Sequence, residues 1–171
     1  MKRIVLISLL IFAAGFSSFA QKGQKFPKTV IKTLKGSDFN TADINNDGKP
    51  VIISFWALWC KNCIKELDNV SEVYEDWQEE TGVKLYAVSI DDSRSTRKVA
   101  PFAGAHDWPF EVLLDANSDL KRAMNVGVIP FTCVLDGKGN IVYQHTGYKE
   151  GDEEHLYEIV KKLAKGEKIT K

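Results

Sequence analysis

A nearly continuous apolar run, Val51–Trp56, leads through Ala57, Leu58 and Trp59 into Cys60-Lys61-Asn62-Cys63, and a helical pattern starts there. No other stretch restricts the fold as much. The apolar run suits a strand buried on both faces. Beyond it, Ile64, Leu67, Val70, Val73, Tyr74 and Trp77 recur at steps of three or four, and Gly82 is the stop signal. The two cysteines therefore fall on the first turn of a helix fed by a core strand. Cysteines three apart at that place can reach the ~4.4–6.8 Å Cα separation that a disulfide needs. Cys60 stands where unpaired backbone N–H groups and the helix dipole favour an anion, which lowers a thiol's pKa. Cys63 is one turn deeper and is the natural resolving thiol. Lys61 adds a local positive charge, or is simply solvated.

Half of a metal site is the competing reading of the pair. Zinc takes four ligands, and only Cys133 and three scattered histidines remain to supply them. Haem attachment requires His directly after the second cysteine, and that position is Ile64. Redox chemistry at the helix start is the favoured reading.

The rest of the chain continues an alternation of strands and helices. Residues 83–90 read as a second buried strand, closing a right-handed βαβ unit. Residues 29–34 and 39–44 read as two short strands around the turn at Lys35, Gly36 and Ser37. Residues 93–106 read as one helix disturbed near Pro101. Residues 110–114 suggest a short strand, and 118–124 a short helix. Phe131–Leu135 and residues 141–143 flank Asp136-Gly137-Lys138-Gly139, a hairpin signal. A last helix starts near Asp152, with acids in its first turn and Lys161, Lys162 and Lys165 in its last turns. Residues 21–28 read as a loose lead-in.

Phe55-Trp56-Ala57-Leu58-Trp59-Cys60-x-x-Cys63 resembles the active-site segment of thioredoxin-fold thiol–disulfide oxidoreductases; the extra residues between strand and hairpin, and a secretory-type start, resemble their TlpA/ResA-like branch more than cytosolic thioredoxin. The resemblance covers most of residues 26–165. It implies an α/β thioredoxin-like fold: a central mixed β-sheet flanked by helices, with an N-terminal β-hairpin and an inserted helix and strand. Gly127-Val128-Ile129-Pro130-Phe131-Thr132 matches the segment where the family carries a cis-proline, at Pro130. A cis X–Pro bond turns the chain sharply and removes an N–H, leaving Ile129 to pair with an extended substrate segment. Glu66, three residues after Cys63, matches a carboxylate that approaches the active-site sulfurs in ResA-like members. Its expected role is to accept the Cys63 proton; a surface Glu is the alternative. Trp59 is expected to shield the sulfur and offer a contact surface. The expected site is thus Cys60, Cys63 and Glu66 for chemistry, with Trp59, Ile129 and Pro130 for substrate. Asn62 replaces a proline common before the second cysteine, and Ser54 stands where thioredoxin keeps a buried Asp.

The resemblance further implies protein substrates bearing disulfides, such as apocytochrome c, and a membrane-embedded thiol transporter as electron donor. It implies reductant action, no dissociable cofactor and a monomer. A thiol peroxidase on a related fold and a non-catalytic binding module of the same fold are the rival readings.

Weaker signals resolve to structure. Asp43-x-Asn45-x-Asp47-Gly48 matches the opening of a calcium loop, but its twelfth position is Ser54, so a turn is expected. Asp91 and Asp92 are expected to cap a helix. Cys133 is expected to be a buried structural thiol. His106, His145 and His155 are given no role.

Lys2 and Arg3, the apolar residues 4–16 and the Ser18-Phe19-Ala20 cleavage pattern have the layout of a secretory signal peptide, with Gln21 as the mature start. An uncleaved anchor is the other possibility, although the run is shorter than the ~20 residues a span needs. The expected division is residues 1–20 as signal and 21–171 as one domain, working in a bacterial periplasm or secreted. Disulfides persist there. Three cysteines are too few to staple a fold of this size, and balanced charge (23 basic, 23 acidic) gives no support to nucleic acid as partner.

Overall fold

The structure is a computed structural model and describes residues 23–169. The expected signal segment lies outside them. Among the described residues, no helix is long and apolar enough to cross a membrane.

Val51–Trp56 (β4) is buried at every position and sits mid-sheet. It pairs in parallel with Lys84–Ser89 (β5) and antiparallel with Phe131–Leu135 (β7). Because strand residues alternate between faces, Ile52 and Trp56 join one apolar cluster while Val51, Ile53 and Phe55 join the other. A strand with apolar groups on both faces demands cover on both. The first face is covered by Lys61–Thr81 (α1), Val99–Ala105 (α2) and Asp152–Ala164 (α4), which bring Leu67, Val70, Val99 and Leu156 onto it. The second is covered by Asp119–Ala123 (α3) and the N-terminal segment, through Leu120, Ile31 and Phe26.

The sheet has eight strands and is mixed. Glu111–Leu114 (β6) adds in parallel to β5. The hairpin of Val30–Thr33 (β2) and Asp38–Asn40 (β3) extends that edge, with β2 antiparallel to β6. Asn140–Thr146 (β8) pairs with β7 on the other side. This is the α/β thioredoxin-like architecture that the resemblance implied.

Several local readings need correction. Gln24–Lys25 (β1), within the expected loose lead-in, is a strand that covers the β8 edge, and the adjacent Phe26 anchors it in the core. The second strand of the N-terminal hairpin is shorter than expected, because the Asn40 side chain accepts from Ala42 N–H and starts a 3₁₀ turn. Residues 93–106 are not one helix. A 3₁₀ turn, Thr96–Lys98, precedes α2, and Pro101 lies in the first turn of α2. A missing N–H costs nothing there. β8 is longer than the expected 141–143 and carries an irregularity opposite Val134/Leu135. Helix α1 ends as expected at Gly82, in the left-handed region with φ 66°.

Candidate active site

Parallel pairing of β4 with β5 and β6 brings their carboxyl ends to one edge of the sheet, where ligand sites form in such sheets. The β4–α1 loop starts there. β7 runs the opposite way and begins at the same edge, since Phe55 is paired with Phe131. Ile129 and Pro130 are therefore brought to the start of α1.

Cys60 is the N-cap of α1. Its Sγ accepts from Cys63 N–H at 3.3 Å. The Cys60–Cys63 disulfide is formed, with S–S 2.06 Å and Cα–Cα 5.3 Å. The first turn of α1 holds no acidic residue, so nothing there opposes a thiolate on Cys60. The two residues differ in exposure: Cys60 is buried but retains 8%, and Cys63 retains none. Trp59, just before them, is 69% exposed, which makes it a surface group rather than a packing one. Lys61 is exposed.

The Ile129–Pro130 peptide is cis. Pro130 is buried, and its carbonyl accepts from Gly147 N–H at 2.8 Å. Ile129 N–H and C=O make no backbone hydrogen bond among the described residues, so they are free for a partner strand. Val128 beside them is an exposed large apolar residue, like Trp59.

Glu66 is buried at 3% exposure, on the inward stripe of α1 with Cys63, Leu67 and Val70. It leans over a polar row that crosses the sheet, in which Ser54 of β4 is paired with Thr132 of β7 and Thr132 with His145 of β8. Glu66 Oε1 lies 2.8 Å from Thr132 Oγ1 and 3.2 Å from His145 Nε2, and Thr132 Oγ1 is 3.1 Å from Ser54 Oγ. The surface-Glu alternative is thereby removed. His145, which sequence reading left without a role, joins this cluster.

Asp91 is the other residue whose expected role changes. Asp92 alone caps the following turn, accepting from the Arg94 and Ser95 amides. Asp91 is 2% exposed and faces back to the loop before the cysteines, where its Oδ2 accepts from Leu58 N–H at 3.0 Å and Ser89 Oγ–H at 2.9 Å. Its position at the end of β5, beside the end of β4, is the signal that could have found it. Cys133 is a free thiol, buried as expected, and burial pushes its pKa far up. The calcium-loop match is a turn whose Asn46 amide donates to Pro50 and Gly82 carbonyls. Among the described residues, no group of three or more His, Cys, Asp or Glu is placed to hold a metal ion.

Comparison with known proteins agrees with this geometry. The AhpC/TSA family profile matches residues 22–144. "Thiol-disulfide oxidoreductase ResA" of Geobacillus kaustophilus is 30% identical over 168 residues, spanning 92% of this chain and 94% of that one. A thioredoxin-like protein from Porphyromonas gingivalis superposes with TM-score 0.73 at 51% identity, over 82% of this chain and 92% of that chain. StoA from Bacillus subtilis superposes with TM-score 0.61 at 27% identity, over 78% and 97%.

Proposed function

The chain belongs to the AhpC/TSA family, and from that premise we propose that it is a thiol–disulfide oxidoreductase acting on disulfide-bearing proteins through Cys60 and Cys63. One observation carries the reading: a formed disulfide at the N-terminus of a 21-residue helix, with Cys60 slightly exposed and Cys63 sealed. That asymmetry favours Cys60 as the attacking and Cys63 as the resolving thiol. The pairing of two cysteines favours this reading over a lone reactive cysteine, as in the peroxidase reading.

In the reducing direction, the Cys60 thiolate attacks one sulfur of a substrate disulfide. A Cys60–substrate bond forms and the first substrate sulfur leaves as thiolate. Cys63 then loses its proton, and its electron pair forms the Cys60–Cys63 bond while the second substrate sulfur departs. Two electrons pass from the protein dithiol to the substrate, and no dissociable cofactor is required. Glu66, one turn from Cys63 on the same face of α1, accepts the Cys63 proton. The substrate lies extended along Ile129–Pro130 and pairs with the free backbone groups of Ile129, with Trp59 as the apolar contact beside it.

The residue-1–20 pattern supports a protein that works outside the cytoplasm, in a periplasm or secreted. Cytosolic reductants do not reach that compartment. A membrane thiol transporter would therefore supply the electrons that regenerate the dithiol, and exported proteins such as apocytochrome c would consume them.

Cys60→Ser is expected to abolish reduction of a protein disulfide, and Cys63→Ser to accumulate a mixed disulfide visible by intact mass. Wild-type turnover by Cys60→Ser would overturn the assignment.

A further inference from the structure

The carboxyl group one turn from Cys63 is used unevenly. Glu66 Oε1 meets both Thr132 Oγ1 and His145 Nε2, whereas Glu66 Oε2 is buried with no hydrogen-bond partner. The His145 side chain is 18% exposed, and its Nδ1 is buried and without a partner too. A carboxylate tied down on one oxygen presents the other as a vacant acceptor. An Nε2–H donor to Oε1 fixes the orientation of that carboxyl group.

We infer that His145 is a positioning residue for Glu66, anchoring its Oε1 so that Oε2 stays free to take the Cys63 proton in the release step. The inference rests on the reading of Glu66 as proton acceptor given above. In that step Cys63 Sγ–H transfers its proton to Oε2. The sulfur's electron pair forms the bond to Cys60, and the Cys60–substrate bond breaks onto the substrate sulfur. The departing thiolate takes up a proton, so charge and atoms balance. With Nε2 as donor, the neutral ring leaves Nδ1 as a bare acceptor.

The surroundings contribute little competing charge. Thr132 and Ser54 are neutral hydroxyls. From β8, the Tyr143 ring is 5.8 Å from the His145 ring; burial, then Asp152 and Glu66, raise the Tyr143 pKa, so it stays neutral. From α4, His155 lies against Tyr143, with ring centroids 5.6 Å apart, and Asp152 is the one acid of that helix acting on Tyr143. On α1, Cys63 lies one turn before Glu66 on the same buried stripe.

The test is stopped-flow reaction of the fully reduced protein with 5,5′-dithiobis(2-nitrobenzoate). Cys60 attack releases one thionitrobenzoate in a concentration-dependent phase, and Cys63 resolution releases the second in a unimolecular phase. His145→Leu is expected to leave the first phase unchanged and to slow the second about tenfold, the effect of losing one hydrogen bond to the carboxyl group. His145→Gln, which keeps an amide donor, should recover most of the rate. His145→Asn, too short to span the contact, should behave as His145→Leu and replaces it if that variant does not fold. Glu66→Gln should slow the second phase, and adding His145→Leu to it should change nothing further. An unaltered second phase in His145→Leu, no recovery in His145→Gln, or further slowing when His145→Leu is added to Glu66→Gln overturns the inference. An unaltered second phase in Glu66→Gln overturns instead the reading of Glu66 on which it rests.

Discussion

Replacing Asp91 by alanine tests whether a buried carboxylate behind the active-site loop holds that loop in place. Its Oδ2 accepts from Leu58 N–H, two residues before Cys60, and from the hydroxyl of Ser89, which is fully buried. Hydrogen bonds to a charged acceptor contribute ~1.5–3 kcal/mol each. Deletion leaves the Ser89 hydroxyl hydrogen without an acceptor in a dry site. The Leu58 amide is only part-buried, so water recovers some of its loss. Removing the charge also removes its own desolvation cost, which offsets part of the penalty. The net expected loss is about 2–4 kcal/mol. With a urea slope of ~2 kcal/mol/M, the midpoint should fall by roughly 1–2 M at unchanged slope. The assay is equilibrium urea unfolding of the oxidised protein followed by tryptophan fluorescence. Asp91→Asn keeps one oxygen acceptor and should lose less than half as much. Asp92→Ala removes a cap from an exposed turn and should shift the midpoint less than Asp91→Ala. A midpoint for Asp91→Ala equal to that of the unmodified protein would refute the bracing role.

Iodoacetamide should alkylate Cys60 of the reduced protein with a rate midpoint below the ~8.5 of an ordinary thiol, because the helix N-terminus stabilises its thiolate; mass mapping against pH checks this. Cys133 should stay unmodified up to about pH 9 in the folded protein and react only in denaturant, because burial holds its thiol protonated; labelling in the native state would contradict it. Leu67→Ala, which empties a position only 1% exposed under the central sheet, should cost about 2–5 kcal/mol in urea unfolding.

What the sequence made legible is what depends on local pattern. The buried central strand, the inward stripe of α1 and its Gly82 stop follow from periods of two and 3.6 and from one glycine. The β7–β8 hairpin follows from Asp136-Gly137-Lys138-Gly139. The cysteine pair is legible because the helix start defines its chemistry, and both cysteines lie on four consecutive positions. Glu66 was half legible. Its spacing from Cys63 and Val70 puts it on the buried stripe, but a single carboxylate on an amphipathic helix does not announce whether a partner waits across the interface. β1 was not legible, because its two residues form a strand only by pairing with β8.

His145 shows why the remainder was hidden. The register starts at Leu135 opposite Ile141, and uninterrupted antiparallel pairing from there would set Gln144 opposite Thr132. The irregularity between Val134 and Leu135 shifts the count by one, so Tyr143 faces Val134 and His145 faces Thr132. Ile141 accordingly packs with the cluster under one face of the sheet, and Tyr143 with the cluster under the other. One extra residue in β8 thus exchanges a neutral amide for an imidazole beside the only carboxylate on the inward stripe of α1. Residue type and alternation along β8 carry no trace of that exchange, because both residues are polar and either suits an outward position. The bulge is where fold and chemistry meet: a packing irregularity in the hairpin decides which side chain meets Glu66, one turn from Cys63.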